Sequence, residues 1–419
     1  MPIDTALTIR IFLTIAVAFI ISFAATPIVK SFAEKVGAMD IPGEARRVHD
    51  HPIPRMGGLA IFLGFLLSVL LFVPLTRPLE GILLGCVIIV ATGAVDDIVS
   101  LKAWVKLLLQ IAAAALAVYC GVRIEVLGNL NIFSANDYVT LGTWSVPISI
   151  LWIVGITNSV NLIDGLDGLA VGVSTISSLT MLVIALLVAD SSVAVVLAAL
   201  VGACIGFMPY NLNPAKIFMG DTGSLLLGYV LATMSVLGLF KFYALVSFAV
   251  PVLAIAVPLF DTIFAFFRRL FHGQSPMHPD RGHFHHRLID MGLSQKQAVA
   301  VLYTISAILG LAAVVITTSG EIKALILILG FCLCTLVWAS VYGKLHHLNI
   351  GAAISGESTT LEETEKEAPG PGKQDTGEAA PKAPDSGGQN PAGCANDAQD
   401  NKQPETGSSD AGNHTEEKE

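Results

Sequence analysis

The chain has 419 residues, of which 53% are hydrophobic and only 14% charged, with a mean hydropathy of +0.70; soluble domains carry about 25% charged residues, so the composition excludes an ordinary soluble protein and describes a membrane protein. The formal charge of −9 belongs to the end of the chain, because residues 353–419 hold 15 acidic and 5 basic side chains whereas the first 352 hold 19 basic and 18 acidic. With no basic excess in its apolar part, the protein has nothing to neutralise a run of phosphates, which excludes nucleic-acid binding.

A spanning helix needs about 20 mostly apolar residues. Eleven runs of that kind follow one another, over 9–29, 57–75, 79–96, 103–120, 145–163, 170–189, 191–210, 223–240, 243–267, 297–317 and 321–342. The first has Ala24-Ala25 near its end, as a signal peptide would, but it is long enough to span and many more runs follow it. With the N-terminus outside, the inner segments before the acidic tail carry fourteen Lys and Arg residues. These are Lys30, Lys35, Arg46, Arg47, Arg55, Lys102, Lys106, Lys216, Arg268, Arg269, Arg281, Arg287, Lys296 and Lys344. The outer side carries five, Arg10, Arg77, Arg123, Lys241 and Lys323. That asymmetry obeys the positive-inside rule. The expected fold is therefore an all-α integral membrane bundle of about eleven transmembrane helices in the plasma (inner) membrane, N-terminus outside and C-terminus cytoplasmic. Residues 1–350 form the polytopic domain. Residues 351–419 read as a disordered acidic cytoplasmic tail, since no Phe, Trp or Tyr follows Ile354 and prolines recur. The outer segment 121–144, with alternating Val122, Ile124 and Val126, reads as a small hairpin or surface-lying piece. The six cysteines show neither a disulfide framework nor zinc spacing.

Nearly all the unusual polar clusters fall on the inner face, in chain order as follows. The first inner loop holds Asp40, Arg46, Arg47, His49, Arg55 and Gly57-Gly58. Asp96-Asp97 closes the third run, where two adjacent carboxylates are costly unless a cation such as Mg²⁺, with a phosphate substrate, or Lys102 shares the site. Next come Asn158, Asn161, Asp164 and Asp167 at even spacing; on an ideal helix the first three stay within an arc of about 120°, and Gly165 and Gly168 permit a break that brings Asp167 back. Amides and carboxylates converging beside permissive backbone suit a nucleotide or a metal diphosphate. Asn211 opens a segment that runs through Phe218-Met219-Gly220-Asp221-Thr222-Gly223-Ser224 into the eighth run. Its polar residues can cap a helix start, and Asp221 reads as a metal ligand. Asp261 is a carboxylate inside the ninth run, either functional or structurally paired. The last inner loop reads His278-Pro279-Asp280-Arg281-Gly282-His283-Phe284-His285-His286-Arg287. It lacks a zinc set, and its alternating arginines and histidines suit diphosphate and sugar recognition. No loop is long enough for a separate soluble catalytic domain, so chemistry belongs at the membrane surface. A multi-helix transporter is the reading from another class, but its polar groups belong near the bilayer midplane rather than at one surface.

Four ordered motifs, the Asp96-Asp97 pair, the Asn158–Leu169 segment, the Phe218–Ser224 segment and the His-rich last loop, resemble the polyprenyl-phosphate N-acetylhexosamine-1-phosphate transferases, the family of the WecA and TagO sugar-phosphate transferases and, more distantly, the MraY translocase. The resemblance covers residues 10–342. It implies Mg²⁺-dependent transfer, with Mn²⁺ as a substitute, of a sugar 1-phosphate from a UDP-sugar to undecaprenyl or another polyprenyl phosphate. UMP is released and the lipid diphosphosugar starts a cell-surface glycan such as teichoic acid. By the same resemblance Asp221 is the principal metal ligand, with Asp96 and Asp97 beside it, and Asp96 in preference to Asp97 deprotonates or positions the lipid phosphate. Asn211, Phe218 and Asp164 meet the uridine, with Asn158 and Asn161 in the same substrate set. Asp167 lies near the diphosphate, and Arg281, His283, His285 and His286 meet the sugar and diphosphate, with His49 from the first loop. Phe284 interrupts the His run, as in the N-acetylglucosamine branch, whereas the phospho-MurNAc-pentapeptide translocases have an unbroken triplet. UDP-GlcNAc is the expected donor and UDP-MurNAc-pentapeptide the alternative. The substrates and the lipid bilayer are the expected partners, and a homodimer is compatible with such a bundle.

Overall fold

The computed structural model describes residues 5–41, 52–128, 138–188, 190–238, 246–271, 283–319 and 323. The chain divides into a unit of residues 1–346 and another of 347–419, and every described residue belongs to the first. The acidic tail, the eleventh apolar run apart from Lys323, and the expected site residues His49 and Arg281 lie outside the described residues.

The described elements are helical apart from two small hairpins. In order they are α1 (Thr5–Val36), α2 (Gly58–Phe72), α3 (Arg77–Val99), α4 (Ala103–Tyr119), α5 (Ser145–Leu162), α6 (Leu169–Leu187), α7 (Ser191–Asn211), α8 (Gly220–Gly238), α9 (Val246–Ala254), α10 (Ala256–Phe271), α11 (Phe284–Asp290) and α12 (Gln295–Ser319). Seven of them, α1, α3, α5, α6, α7, α8 and α12, are long and apolar enough to cross a membrane, and α2 and α4 are shorter apolar helices. The protein is an all-α integral membrane protein. The ninth run, expected as one span over 243–267, is instead two helices. The break falls at Ile255, and its cause is Pro258, which has no N–H for the Ala254 carbonyl and whose ring crowds it.

Strands β1 (Met39–Asp40) and β2 (Ile53–Pro54) pair antiparallel in the first loop, with Met39 opposite Pro54. Strands β3 (Val126–Gly128) and β4 (Tyr138–Thr140) form the hairpin expected in 121–144, and Val122 and Ile124 just before it are buried.

Helix α8 is the hub. Every residue from Thr222 to Val236 is buried, and it packs on α2, α3, α5 and α6. In a lipid environment apolar side chains gain little by leaving the lipid for one another, so close backbone approach has to supply the attraction. Glycines provide it: a Cβ on Gly228 would lie 2.6 Å from the Thr157 Cα of α5, and one on Gly64 would lie 2.7 Å from the Ala18 carbonyl of α1. Four threonine hydroxyls inside the spans are satisfied by their own helices, as Thr14, Thr26, Thr92 and Thr157 donate to the carbonyls four residues earlier. A further bond, Trp152 Nε1 to Ser235 Oγ at 2.9 Å, ties α5 to α8.

Candidate active site

The site is built around the first turn of α8, which begins at Gly220 with φ of +69°. A side chain at that glycine would collide with the Asp97 carboxylate, which has come across from α3 to cap the helix. Asp97 Oδ1 accepts the Asp221 N–H at 3.0 Å, while its Oδ2 accepts the Thr222 N–H at 3.1 Å and the Thr222 hydroxyl at 2.6 Å. These are amides that a helix start otherwise leaves without partners. Asp97, expected to join the metal and catalytic set, is thus committed to holding α8 against α3. Asp97→Ala should cost about 1–2 kcal/mol, the usual worth of a strong helix cap. A lowered unfolding midpoint in detergent checks this.

The cap aims the Asp221 side chain at α4 and α5. Its Oδ2 accepts Lys106 Nζ at 2.8 Å and its Oδ1 accepts Asn161 Nδ2 at 3.1 Å. The same ammonium reaches Asp96 Oδ2 at 3.1 Å, and Asp96 Oδ1 accepts the Leu101 N–H at 2.7 Å in the turn that ends α3. One cation therefore bridges carboxylates from α3 and α8. Without a positive group between them, two carboxylates at the end of a low-dielectric bundle would repel.

The donor chemistry of this place fits a divalent cation. Asp96 and Asp221 offer hard carboxylate oxygens around a point already occupied by positive charge, and the Asn161 side chain, held also by Ser224 Oγ at 2.8 Å, brings an amide oxygen within a bond rotation. Among the described residues, no three His, Cys or carboxylate side chains converge as a ready ligand set. Two carboxylates, an amide and substrate oxygens are the combination to which Mg²⁺ is suited.

Around this centre the other expected residues divide into those facing it and those building it. Asn158 is turned into the bundle, where it exchanges hydrogen bonds with the buried Gln110 of α4 and donates to the Val154 carbonyl at 2.8 Å. Asn211, expected at the uridine, is 3% exposed and joins two loops, its Oδ1 accepting the Gly168 N–H and its Nδ2 donating to the Ile217 carbonyl. Asp167, expected near the diphosphate, accepts Asn213 Nδ2 at 2.9 Å and the Ala215 N–H at 3.0 Å through one oxygen. The Tyr303 hydroxyl of α12 donates to the Gly168 carbonyl, and its ring fills the notch at Gly172. Together these bonds clamp the α5–α6 turn to the segment before α8.

Asp164 sits half-buried in that turn. Burial, reinforced by repulsion from Asp221 and Asp97 and opposed by Arg55, pushes its carboxyl up to about 8. In the metal-free protein the native state therefore holds a proton that the unfolded chain releases near pH 4, so stability falls as pH rises from about 4 to about 8. Asp164→Asn should flatten that slope in unfolding midpoints measured across the range.

Phe218 is pinned by its backbone: its N–H donates to Pro54 O at 2.8 Å and its carbonyl accepts the Gly57 N–H at 2.9 Å. Arg55 lies in sequence between those two attachment points, and its guanidinium pairs with Asp40 and is near enough to Asp164 to oppose the rise of that carboxyl. Gly58 and Gly93 allow α2 and α3 to meet the Thr222-Gly223 backbone, where a Cβ would collide.

On the remaining side, His283 and His285 are buried and stacked at 5.8 Å, and His285 and His286 lie 4.3 Å apart. His285 rests against Gly165, the neighbour of Asp164, and burial followed by repulsion from His286 lowers it to about 4, so it is neutral at pH 7. Sequence reasoning counted Lys106 only as an inward charge. Its signal was a cation placed inside an apolar run, which is costly without a partner. Gln110 carried the same kind of signal, a lone amide among alanines and leucines.

The model of glycosyl transferase family 4 matches residues 79–239, which contain the Asp96–Lys106–Asp221 centre. The chain is 41% identical over 337 residues to a probable undecaprenyl-phosphate N-acetylglucosaminyl 1-phosphate transferase of Bacillus subtilis, covering 79% of this chain and 93% of that protein. It is 37% identical over 314 residues to the decaprenyl-phosphate N-acetylglucosaminephosphotransferase of Mycolicibacterium smegmatis, covering 68% and 77% respectively. A phospho-N-acetylmuramoyl-pentapeptide-transferase of Desulfitobacterium hafniense is 32% identical over 345 residues, covering 74% of this chain and 98% of its own.

Proposed function

The chain belongs to glycosyl transferase family 4, and from that membership we propose that it transfers N-acetylglucosamine 1-phosphate from UDP-GlcNAc to undecaprenyl or a related polyprenyl phosphate, releasing UMP. The observation that carries the reading is the bridged pair of carboxylates, Asp96 and Asp221, with Lys106 between them at the end of a hydrophobic bundle. We infer that this end faces the cytoplasm in a bundle of about eleven spans, a reading the fourteen-to-five distribution of basic residues supports.

An oxygen of the lipid phosphate bonds to the sugar-bearing phosphorus of UDP-GlcNAc as the bond from that phosphorus to the UMP oxygen breaks. Such a displacement needs alignment and charge neutralisation more than covalent help. Asp96 holds the lipid phosphate at the membrane surface and takes its proton when it arrives as the monoanion. Lys106, attached to a carboxylate on either side, is placed to move onto phosphate oxygens as they arrive. Mg²⁺, or Mn²⁺ in its place, would be held by Asp221 with Asn161 and Asp96, and supplies the remaining neutralisation of the diphosphate. Phe218 offers the uracil a ring to lie on, and Asp164 offers it a hydrogen-bonding partner. His286 and His285 face the sugar and diphosphate from the last loop. The product starts a cell-surface glycan of the teichoic-acid kind.

N-acetylglucosamine is favoured over MurNAc-pentapeptide by the broken His run. Phe284 does not join the histidine stack; its ring lies on Phe264 of α10 at 5.9 Å. Purified protein in detergent, given undecaprenyl phosphate and either donor with and without Mg²⁺, should release UMP only from UDP-GlcNAc and only with the metal. Release from the pentapeptide donor alone would move the chain to the other branch.

A further inference from the structure

Asp261 has no place in the chemistry above, yet it is a carboxylate 2% exposed in a helix whose outward face is phenylalanine-rich. A buried carboxylate is retained only where its oxygens are satisfied. Here both are. Oδ1 accepts the Phe284 N–H at 2.8 Å, and Oδ2 lies 2.8 Å from His283 Nδ1. The first bond fixes the start of α11 to α10. The second fixes a ring: a carboxylate accepts, so Nδ1 of His283 carries a proton toward Asp261 and Nε2 is turned away from it.

The arrangement continues toward the site. The His283 ring, 6% exposed, stacks on His285 with the planes 9° from parallel. His285 closes on Gly165, and a methyl group at that glycine would collide with Nε2. Asp261, His285 and Phe284 share a cavity of about 10 Å³ with Ile163 and Leu169, which flank the turn that carries Asp164 and Asp167. A continuous set of contacts thus runs from Asp261 through two imidazoles to the α5–α6 turn.

We propose that Asp261 is a positioning residue for the transfer reaction: it sets the Nδ1–H tautomer of His283 and docks the His283–His286 segment against the Asp164 turn. The inference rests on the proposed activity for its kinetic consequence but not for its structural one. A carboxylate behind a metal-ligating histidine is worth about 10- to 100-fold in activity, and the same scale is expected for one that orients a histidine beside a phosphate site. Asp261→Asn keeps the size of the side chain and an oxygen for Phe284, and removes the carboxylate from His283.

The test has two parts. In protein labelled with ¹⁵N-histidine, His283, assigned by its loss in His283→Asn, should show a protonated Nδ1 in the wild type, and Asp261→Asn should abolish or shift that signal. In UMP release from UDP-GlcNAc, Asp261→Asn and His283→Asn should each lose about 10- to 100-fold in kcat/KM, and the double variant should lose no more than the worse single one, because both act through one ring. A double loss equal to the product of the singles, or an unchanged His283 signal in Asp261→Asn, would overturn the proposal. If Asp261→Asn does not fold, Gly165→Ala takes its place, displacing His285 from the turn while leaving the Asp261 pair intact. It should then lower kcat/KM with the His283 signal retained, and full activity would overturn the docking. A wild type with the expected His283 signal but no turnover of UDP-GlcNAc would uphold the anchor and sink the proposed activity instead.

Discussion

Asp221→Asn should lose about three orders of magnitude in UMP release, the scale of removing a principal electrostatic element from a charged transition state, while leaving a folded protein. The start of α8 is held by Asp97 rather than by Asp221, so the substitution leaves both capping amides satisfied. The amide retains an oxygen for Lys106 or Asn161 but loses the charge. Two measurements separate this from misfolding. The unfolding midpoint in detergent without metal should stay near that of the wild type, and the upward shift produced by Mg²⁺ in the wild type should disappear. A variant that unfolds early would assign Asp221 to structure.

Lys106→Met is the second large effect, and it has a different signature. It keeps the length of the side chain and removes the only described cation bridging Asp96 and Asp221. Two carboxylates then face each other with nothing between them, so the metal-free protein should be destabilised and its activity reduced by about 10²- to 10³-fold. Because the ammonium occupies the same oxygens that a divalent cation would take, Mg²⁺ should raise the unfolding midpoint of Lys106→Met more than that of the wild type. Equal Mg²⁺ shifts in the two proteins would mean that the lysine and the metal do not share a place.

The positions of the polar clusters were legible in the sequence because an ionisable group in an apolar run has few reasons to be there. Asp96 and Asp221 stood out for that reason, and the structure brings both to one ammonium, with Asn161 donating to Asp221 from the other side. Which way each group faces was not legible. Asp96 and Asp97 are neighbours in the chain but about 100° apart around α3. That rotation sends one to Lys106 and the other to the amides of α8, and it depends on how α3 packs on α8. Asp167 belongs to a segment whose amides and carboxylates suit a nucleotide or a metal diphosphate, and Asn211 is put at the uridine by the family resemblance. Such groups suit unpaired backbone equally well, and here Asn211 accepts the Gly168 N–H and Asp167 the Ala215 N–H. The broken ninth run had a visible cause in Pro258, but a hydropathy window averages over a proline and registers only an apolar stretch. Lys106 was visible as a charge and unreadable as a bridge, since its two partners arrive from helices far apart in sequence.

The central claim is that the sugar travels with its phosphate. UDP-GlcNAc labelled with ³²P at the β-phosphorus, incubated with the purified protein, Mg²⁺ and undecaprenyl phosphate, tests it directly. The label should move into the organic-solvent-extractable lipid in step with UMP formation, and both should be lost in Asp221→Asn. Label retained in UDP while sugar appears on lipid would contradict it, since that is the outcome of ordinary glycosyl transfer.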